Sequence, residues 1–174
     1  VVHSVELTFD PPTDAAVRRI WDDLTAVGVR SQGAVTSASN RPHVTLTVAD
    51  RLTDGVDAAL SPVTALLPVP CVLGAPMLFG RGVFTLVRLV VPSAALLAVH
   101  AAVHEVCTPY LESGPLPHAA PGQWTPHVTL ARRLSAEQLP AALALRSVSD
   151  DIEAMAAGLR HWDGEQRVEH PISY

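Results

Sequence analysis

Val5, Leu7 and Phe9 alternate with Ser4, Glu6 and Thr8 near the start of the chain. That period of two predicts a strand over Val2–Phe9 with one buried face, ended by Asp10-Pro11-Pro12. The period then lengthens. Val17, Ile20, Trp21 and Leu24 fall on one stripe of a helix that Thr13 or Asp14 can cap and that runs to about Val27. Arg41–Ala49 reads as a strand, and Leu52–Leu67 as a helix interrupted at Ser61-Pro62, where a fresh turn can begin. Two apolar runs, Val69–Leu78 and Gly82–Val91, flank Gly80-Arg81-Gly82 and predict a hairpin. Pro92-Ser93 opens a helix to about Leu111. Glu112–Gly122, rich in Pro and Gly, predicts a loop able to reach over a site. Thr125–Arg132 reads as a strand, Ser135–Leu145 as a helix capped by Ser135, and Ile152–Trp162 as a strand. Asp163-Gly164 turns the chain into a last strand, Gln166–Ile172. The order βαβαββαβαββ predicts an α+β protein of mainly antiparallel sheet.

Within this pattern Pro42-His43-Val44-Thr45-Leu46 recurs unchanged as Pro126-His127-Val128-Thr129-Leu130. Each copy opens a strand and is followed by a helix, so the two halves of the chain echo one another. The expectation is a single domain, residues 1–174. In it two pseudo-symmetric lobes of antiparallel sheet, with helices outside, face each other across a cleft, and strands may be exchanged between the lobes. Along a strand, residues i and i+2 share a face. His43 and Thr45 therefore point one way with Arg41 and Thr47 beside them, while Val44 and Leu46 point to the core. His127 and Thr129 do the same, flanked by Thr125, Ala131 and Arg133.

An imidazole titrates near neutrality, so two of them can hold opposite protonation states at once. One removes a proton from an attacking water or hydroxyl while the other donates one to the departing alkoxide. Threonine hydroxyls can donate to the phosphate oxygens on which charge accumulates. Nothing in this scheme needs a metal or another cofactor.

The paired HxTx pattern on a duplicated α+β scaffold resembles the two-histidine (2H) phosphoesterase superfamily, which includes bacterial RNA 2′,3′-cyclic phosphodiesterases and RNA 2′-5′ ligases. The resemblance implies hydrolysis of a 2′,3′-cyclic phosphate, on a nucleotide or an RNA end, to a 2′-phosphate. It implies His43 as proton donor to the leaving oxygen, His127 as activator of water, and Thr45 and Thr129 as phosphate contacts. Running the reaction backwards, as weak 2′-5′ ligation, exchanges the two histidine roles. Arg41, Arg133 and Trp124 are further candidate substrate contacts: the arginines for phosphate, the indole for a base.

Other readings stand beside this one. Both His-Val-Thr-Leu segments can be core strands whose histidines only hydrogen-bond to neighbours. The same cleft can serve a nucleotide- or RNA-binding module without catalysis. His100 and His104, four apart on a helix, have metal-ligand spacing but lack an inner Glu and a third ligand, so a solvated or boundary helix face is the expectation there.

Composition narrows the field. The chain is 48% apolar and 17% charged, the balance of a globular protein. All twelve basic residues are Arg. The lack of Lys excludes a nucleotidyl-lysine ligase, a Walker-type P-loop and a Schiff-base enzyme. A net charge of −5 argues against long-range steering onto a polyanion and leaves room only for a local Arg-lined cleft. Aromatic content of 5% argues against an extended RNA platform. Cys71 and Cys107 stand in apolar contexts and are expected as buried free thiols. With no membrane-length apolar run and no secretion signal, a cytoplasmic monomer without membrane or protein partners is expected.

Overall fold

The computed structural model describes residues 2–114 and 116–174; Pro115, in the proline-rich loop, lies outside the described residues. Strand β1 is His3–Phe9, and helix α1, Pro11–Ala26, follows at once. The cap is Asp10, whose carboxylate accepts from the Thr13 amide at 3.0 Å, not Thr13 or Asp14. Pro11 and Pro12 occupy the first helical positions, where no N–H is needed. Thr13 instead accepts the Met155 amide on its hydroxyl. Strand β2 is His43–Ala49. The expected helix over Leu52–Leu67 is only a short α2, Val56–Leu60, continued as a 3₁₀ segment Ser61–Leu66, because Pro62 supplies no donor.

The hairpin is long: β3 is Val69–Arg81 and β4 is Val83–Val90. Gly80 has φ +104°, and a Cβ there would meet the Val83 carbonyl oxygen at 2.5 Å, so only glycine makes this turn. Helix α3, Ala94–Cys107, is capped by Ser93 and ends in a 3₁₀ turn at Thr108–Tyr110. Strand β5 is His127–Ser135. The expected helix over Ser135–Leu145 divides into a 3₁₀ turn and α4 (Leu139–Leu143), with Pro140 at the start of α4, and a short α5 (Arg146–Ser149) follows it. Strands β6, Ile152–Asp163, and β7, Val168–Ile172, close the chain.

All pairings are antiparallel, in the order β2-β1-β6-β3-β4-β5. Strand β6 pairs with β3 along 152–156 and with β7 along 159–163, with β1 on its other edge. The order is symmetric about the β6–β3 pair. In each half an outermost strand carries the motif, next to the strand that a helix joins to it. Strand β6, from the end of the chain, lies beside β1, and β3, from its middle, lies beside β4. The outermost strands β2 and β5 nevertheless approach one another, which requires the sheet to bend into a concave face. The apolar stripe of α1 and the Leu96, Val99 and Val103 face of α3 are buried. Cys71 and Cys107 are buried free thiols, and burial pushes the Cys107 thiol up to about 12. No helix among the described residues is long and apolar enough to cross a membrane.

Three imidazoles are held below their ordinary pKa of 6.5. Burial is the main cause for His3, helped by His161 and Arg51 against Asp163 and Glu165; for His100 and His127 burial again dominates. Each is neutral in the fold and takes a proton more readily when unfolded. The unfolded state therefore binds more protons below about pH 6.5, so stability is complete above that value and is lost as pH falls through the folded pKa values. Thermal melts should give a Tm about 5 °C lower at pH 5.5 than at pH 7.5; an unchanged Tm would show that these rings are not buried neutral.

Candidate active site

The bent sheet sets His43 and His127 on facing edge strands. The two rings are anchored alike. Nδ1 of His43 lies 2.8 Å from the Arg41 carbonyl and Nδ1 of His127 lies 2.7 Å from that of Thr125. In both cases the ring reaches back two residues along its own chain. A carbonyl only accepts, so each Nδ1 carries the hydrogen and each Nε2 is left for chemistry. Thr45 and Thr129 lie two residues on, half-buried like the histidines.

Edge strands expose carbonyls that no ladder partner satisfies. Here indoles meet them. Trp124 Nε1 donates to the Thr45 carbonyl at 2.9 Å and Trp21 Nε1 to the Thr129 carbonyl at 3.2 Å. Each motif strand is thus held by a tryptophan from elsewhere in the fold. Trp124, a candidate for stacking on a base, stacks on His100, with ring centroids 4.0 Å apart and planes 2° from parallel. His100 is buried, not on a solvated or boundary face, and its Nε2 bonds the Ala119 carbonyl at 2.8 Å. The pair His100–Trp124 fastens the loop over the cleft. A cavity of about 450 Å³ opens here, lined by Thr45, Val48, Phe79, His118, Trp124 and His127 among others. Phe79, from the β3–β4 hairpin, sets its edge against His127 at 4.9 Å.

The register adds what alternation alone does not show. Glu6 pairs with Thr45 and Val5 with Thr47, leaving Leu46 unpaired; Val87 pairs with Thr129 and Leu86 with Ala131, leaving Leu130 unpaired. Both motifs end in a β-bulge at the same Leu. A bulge reverses the alternation, so Thr47 and Ala131 turn inward and are buried instead of flanking the histidines. The same reversal puts Arg132, rather than Arg133, on the His127 side. The His127 pKa is lowered by burial first, against its bond to Thr125, and then by the nearby charges of Arg132 and His43. Arg133 sits at a second register shift with φ +59°, and both arginines line a second cavity. Arg41 is committed elsewhere: its guanidinium bonds Glu169 at 2.6 Å.

One asymmetry separates the histidines. The Glu6 carboxylate, 5% exposed, lies 3.8 Å from His43 Nε2. Ser4 and Arg160 hold it at 2.7 Å, and Arg160 also bonds Glu169 and the Ser39 carbonyl. Burial opposes its charge, but His43, Arg160 and Ser4 outweigh burial and keep the carboxyl below its ordinary range. The pseudo-equivalent of Glu6, paired with Thr129, is Val87. No three His, Cys, Asp or Glu side chains among the described residues cluster as metal ligands.

Two HxTx motifs on facing edges of one antiparallel sheet are the arrangement of the two-histidine phosphoesterases. The chain belongs to the 2'-5' RNA ligase superfamily, whose family model matches residues 9–166. No curated protein matches it at a significant level. Among solved structures it resembles Usb1 of Kluyveromyces marxianus, with a TM-score of 0.56 and 13% identity over 99% of this chain and 98% of that one. It also resembles E. coli LigT complexed with 3'-AMP, with a TM-score of 0.52 and 12% identity over 98% and 94% of the two chains. A further phosphoesterase structure is similar at a TM-score of 0.52 and 14% identity, over 99% and 94%. At these identities the likeness is one of fold.

Proposed function

We propose that the chain is a metal-independent phosphodiesterase, one bilobal domain that hydrolyses nucleoside 2′,3′-cyclic phosphates to 2′-phosphates between His43 and His127. The reading is supported by the matched anchoring of the two rings, each Nδ1 on the carbonyl two residues back, and by the charge of His43 reaching His127. His127, held neutral by burial, takes a proton from water as the water oxygen attacks phosphorus. The P–O3′ bond breaks, and His43, whose Nε2 lies 3.8 Å from the Glu6 carboxylate, gives its Nε2 proton to O3′. Thr45 and Thr129 donate their hydroxyls to the non-bridging oxygens, and Arg132 adds positive charge from the His127 side. A solved structure of K. marxianus Usb1 with uridine monophosphate and one of LigT with 3'-AMP support a nucleotide-sized ligand.

The test is turnover of uridine 2′,3′-cyclic phosphate in excess EDTA, with the product isomer identified by phosphorus NMR. Expected are a 2′-phosphate product and a bell-shaped pH dependence of kcat/KM, its acid limb displaced below pH 6.5 by the lowered pKa of His127. Binding without product at any pH would replace this reading with a nucleotide-binding module, and activity restored only by a divalent metal would end it.

A further inference from the structure

Beyond the histidine cleft, the C-terminal end of β5 borders a second cavity, of about 380 Å³. Its lining includes Arg30, Arg132 and Arg133 together with Ser31, Gln32 and Gln138, and none of its lining residues is acidic. Among the described residues the guanidinium–carboxylate pairs are made by Arg18, Arg41, Arg146 and Arg160. The three arginines of this cavity make none. A chain of net charge −5 has thus gathered three of its twelve basic groups where no carboxylate answers them.

The backbone is arranged to do so. The bulge at Leu130 turns Arg132 outward, and the second register shift places Arg133 in a left-handed conformation that non-glycine residues seldom adopt. On the other wall, the 3₁₀ turn Gln32–Ala34 is fixed by Ser31, whose hydroxyl accepts the Gly33 amide at 3.2 Å. Gly33 lies close against Trp21; a Cβ there would meet the Trp21 Cβ at 3.2 Å. That is the tryptophan that holds the Thr129 carbonyl. From this turn the chain runs through Asn40, which Gln32 bonds, to His43. The cavity therefore borders β5 directly and is joined to β2 through the segment that carries Asn40. Along β5, the aromatic cavity with Phe79 and Trp124 lies at one end and the arginine cavity at the other, with the motif between.

We propose that the arginine cavity is a second phosphate site, filled by another phosphate of the same substrate whose phosphodiester lies between the histidines. The inference rests on the phosphodiesterase reading for where the substrate lies, but not on its chemistry. A guanidinium offers five donors suited to phosphate oxygens. Two sources present such a phosphate: the backbone of an RNA strand, or a small nucleotide carrying a 5′-phosphate.

The experiment measures binding of a labelled pentauridylate ending in a 2′,3′-cyclic phosphate by fluorescence anisotropy across a salt series. Uridine 2′,3′-cyclic phosphate and its 5′-phosphorylated form serve as competitors. The variant is Arg30→Gln with Arg133→Gln; Arg19→Gln with Arg167→Gln removes the same charge elsewhere. The first variant is expected to bind the pentamer about 10-fold more weakly and to lower the salt slope by about 1.4, or 0.7 per lost phosphate contact. Its affinity for uridine 2′,3′-cyclic phosphate should stay unchanged. If the 5′-phosphorylated nucleotide already competes better than the plain one in wild type and not in the variant, the second phosphate belongs to a small nucleotide; if only the pentamer gains, it belongs to RNA. Equal affinity and slope in wild type and variant, or the same loss in the control, would overturn the site. Failure of wild type to turn over uridine 2′,3′-cyclic phosphate would remove the hydrolytic reading and still leave this comparison legible.

Discussion

His43→Ala and His127→Ala will each lower kcat on uridine 2′,3′-cyclic phosphate by about 10³-fold or more, with KM changed little. General acid or base catalysis by one positioned group contributes about 10²–10⁴-fold, and here each ring is the one its motif supplies. The two act on one proton path, so the double variant should fall little below either single one. The pH profiles carry the finer result. Without His127 the acid limb of the bell should disappear, because that limb reports the base; without His43 the alkaline limb should disappear. Thermal melts control for folding, since both rings are half-buried and each hydrogen-bonds its own backbone. More than a tenth of wild-type turnover in either variant would refute the two-histidine scheme. Loss of both limbs in one variant alone would confine the chemistry to a single ring.

Much of this fold was readable from the chain, for physical reasons that particular residues show. The duplicated His-Val-Thr-Leu was legible because alternation is local: Val44, Leu46, Val128 and Leu130 had to enter the core. The helix α1 was legible because a stripe of Val17, Ile20, Trp21 and Leu24 has no other use. Its cap was misplaced because Pro11 and Pro12 read as breakers, although the first turn of a helix tolerates proline. Neither bulge was legible, since an unpaired Leu46 or Leu130 is defined only by the strand beside it. Alternation continued past Leu130 therefore favoured Arg133 over Arg132. Contacts distant in sequence were hidden for the same reason: Glu6 beside His43, Phe79 against His127, and Trp21 on Thr129. The separation of His100 from His104 suggested a boundary face because the loop that buries His100 has no periodicity to read.

Arg88 was the residue most fully concealed, and its replacement carries the largest expected effect on stability. It lies in β4 and is 0% exposed, the largest fully buried side chain. Among the described residues its guanidinium has no carboxylate partner. Instead Nε donates to the Gly74 carbonyl at 2.6 Å, Nη1 to that of Ser147 at 3.0 Å, and Nη2 to those of Leu73 and Asp150 at 2.9 and 2.6 Å. The first and third of these carbonyls belong to β3, where the register shifts between Leu73 and Pro76; the others belong to α5 and the residue after it. Burial lowers the pKa of Arg88 against the pull of Asp151 and Asp150, yet an arginine keeps its charge. Arg88→Met preserves length and removes every donor, leaving buried carbonyls with no partner. Urea denaturation should show a loss of about 3–5 kcal/mol, equivalent to a Tm about 10–15 °C lower. Arg88→Lys should recover only part of it, because an ammonium cannot span four acceptors arranged around a planar fork. Arg88 pairs with Val128 in the ladder, next to His127. Partial loosening of this contact should therefore lower kcat in Arg88→Lys at temperatures where the protein is still folded, and a loss below about 1 kcal/mol in Arg88→Met would show that the four carbonyls find other donors.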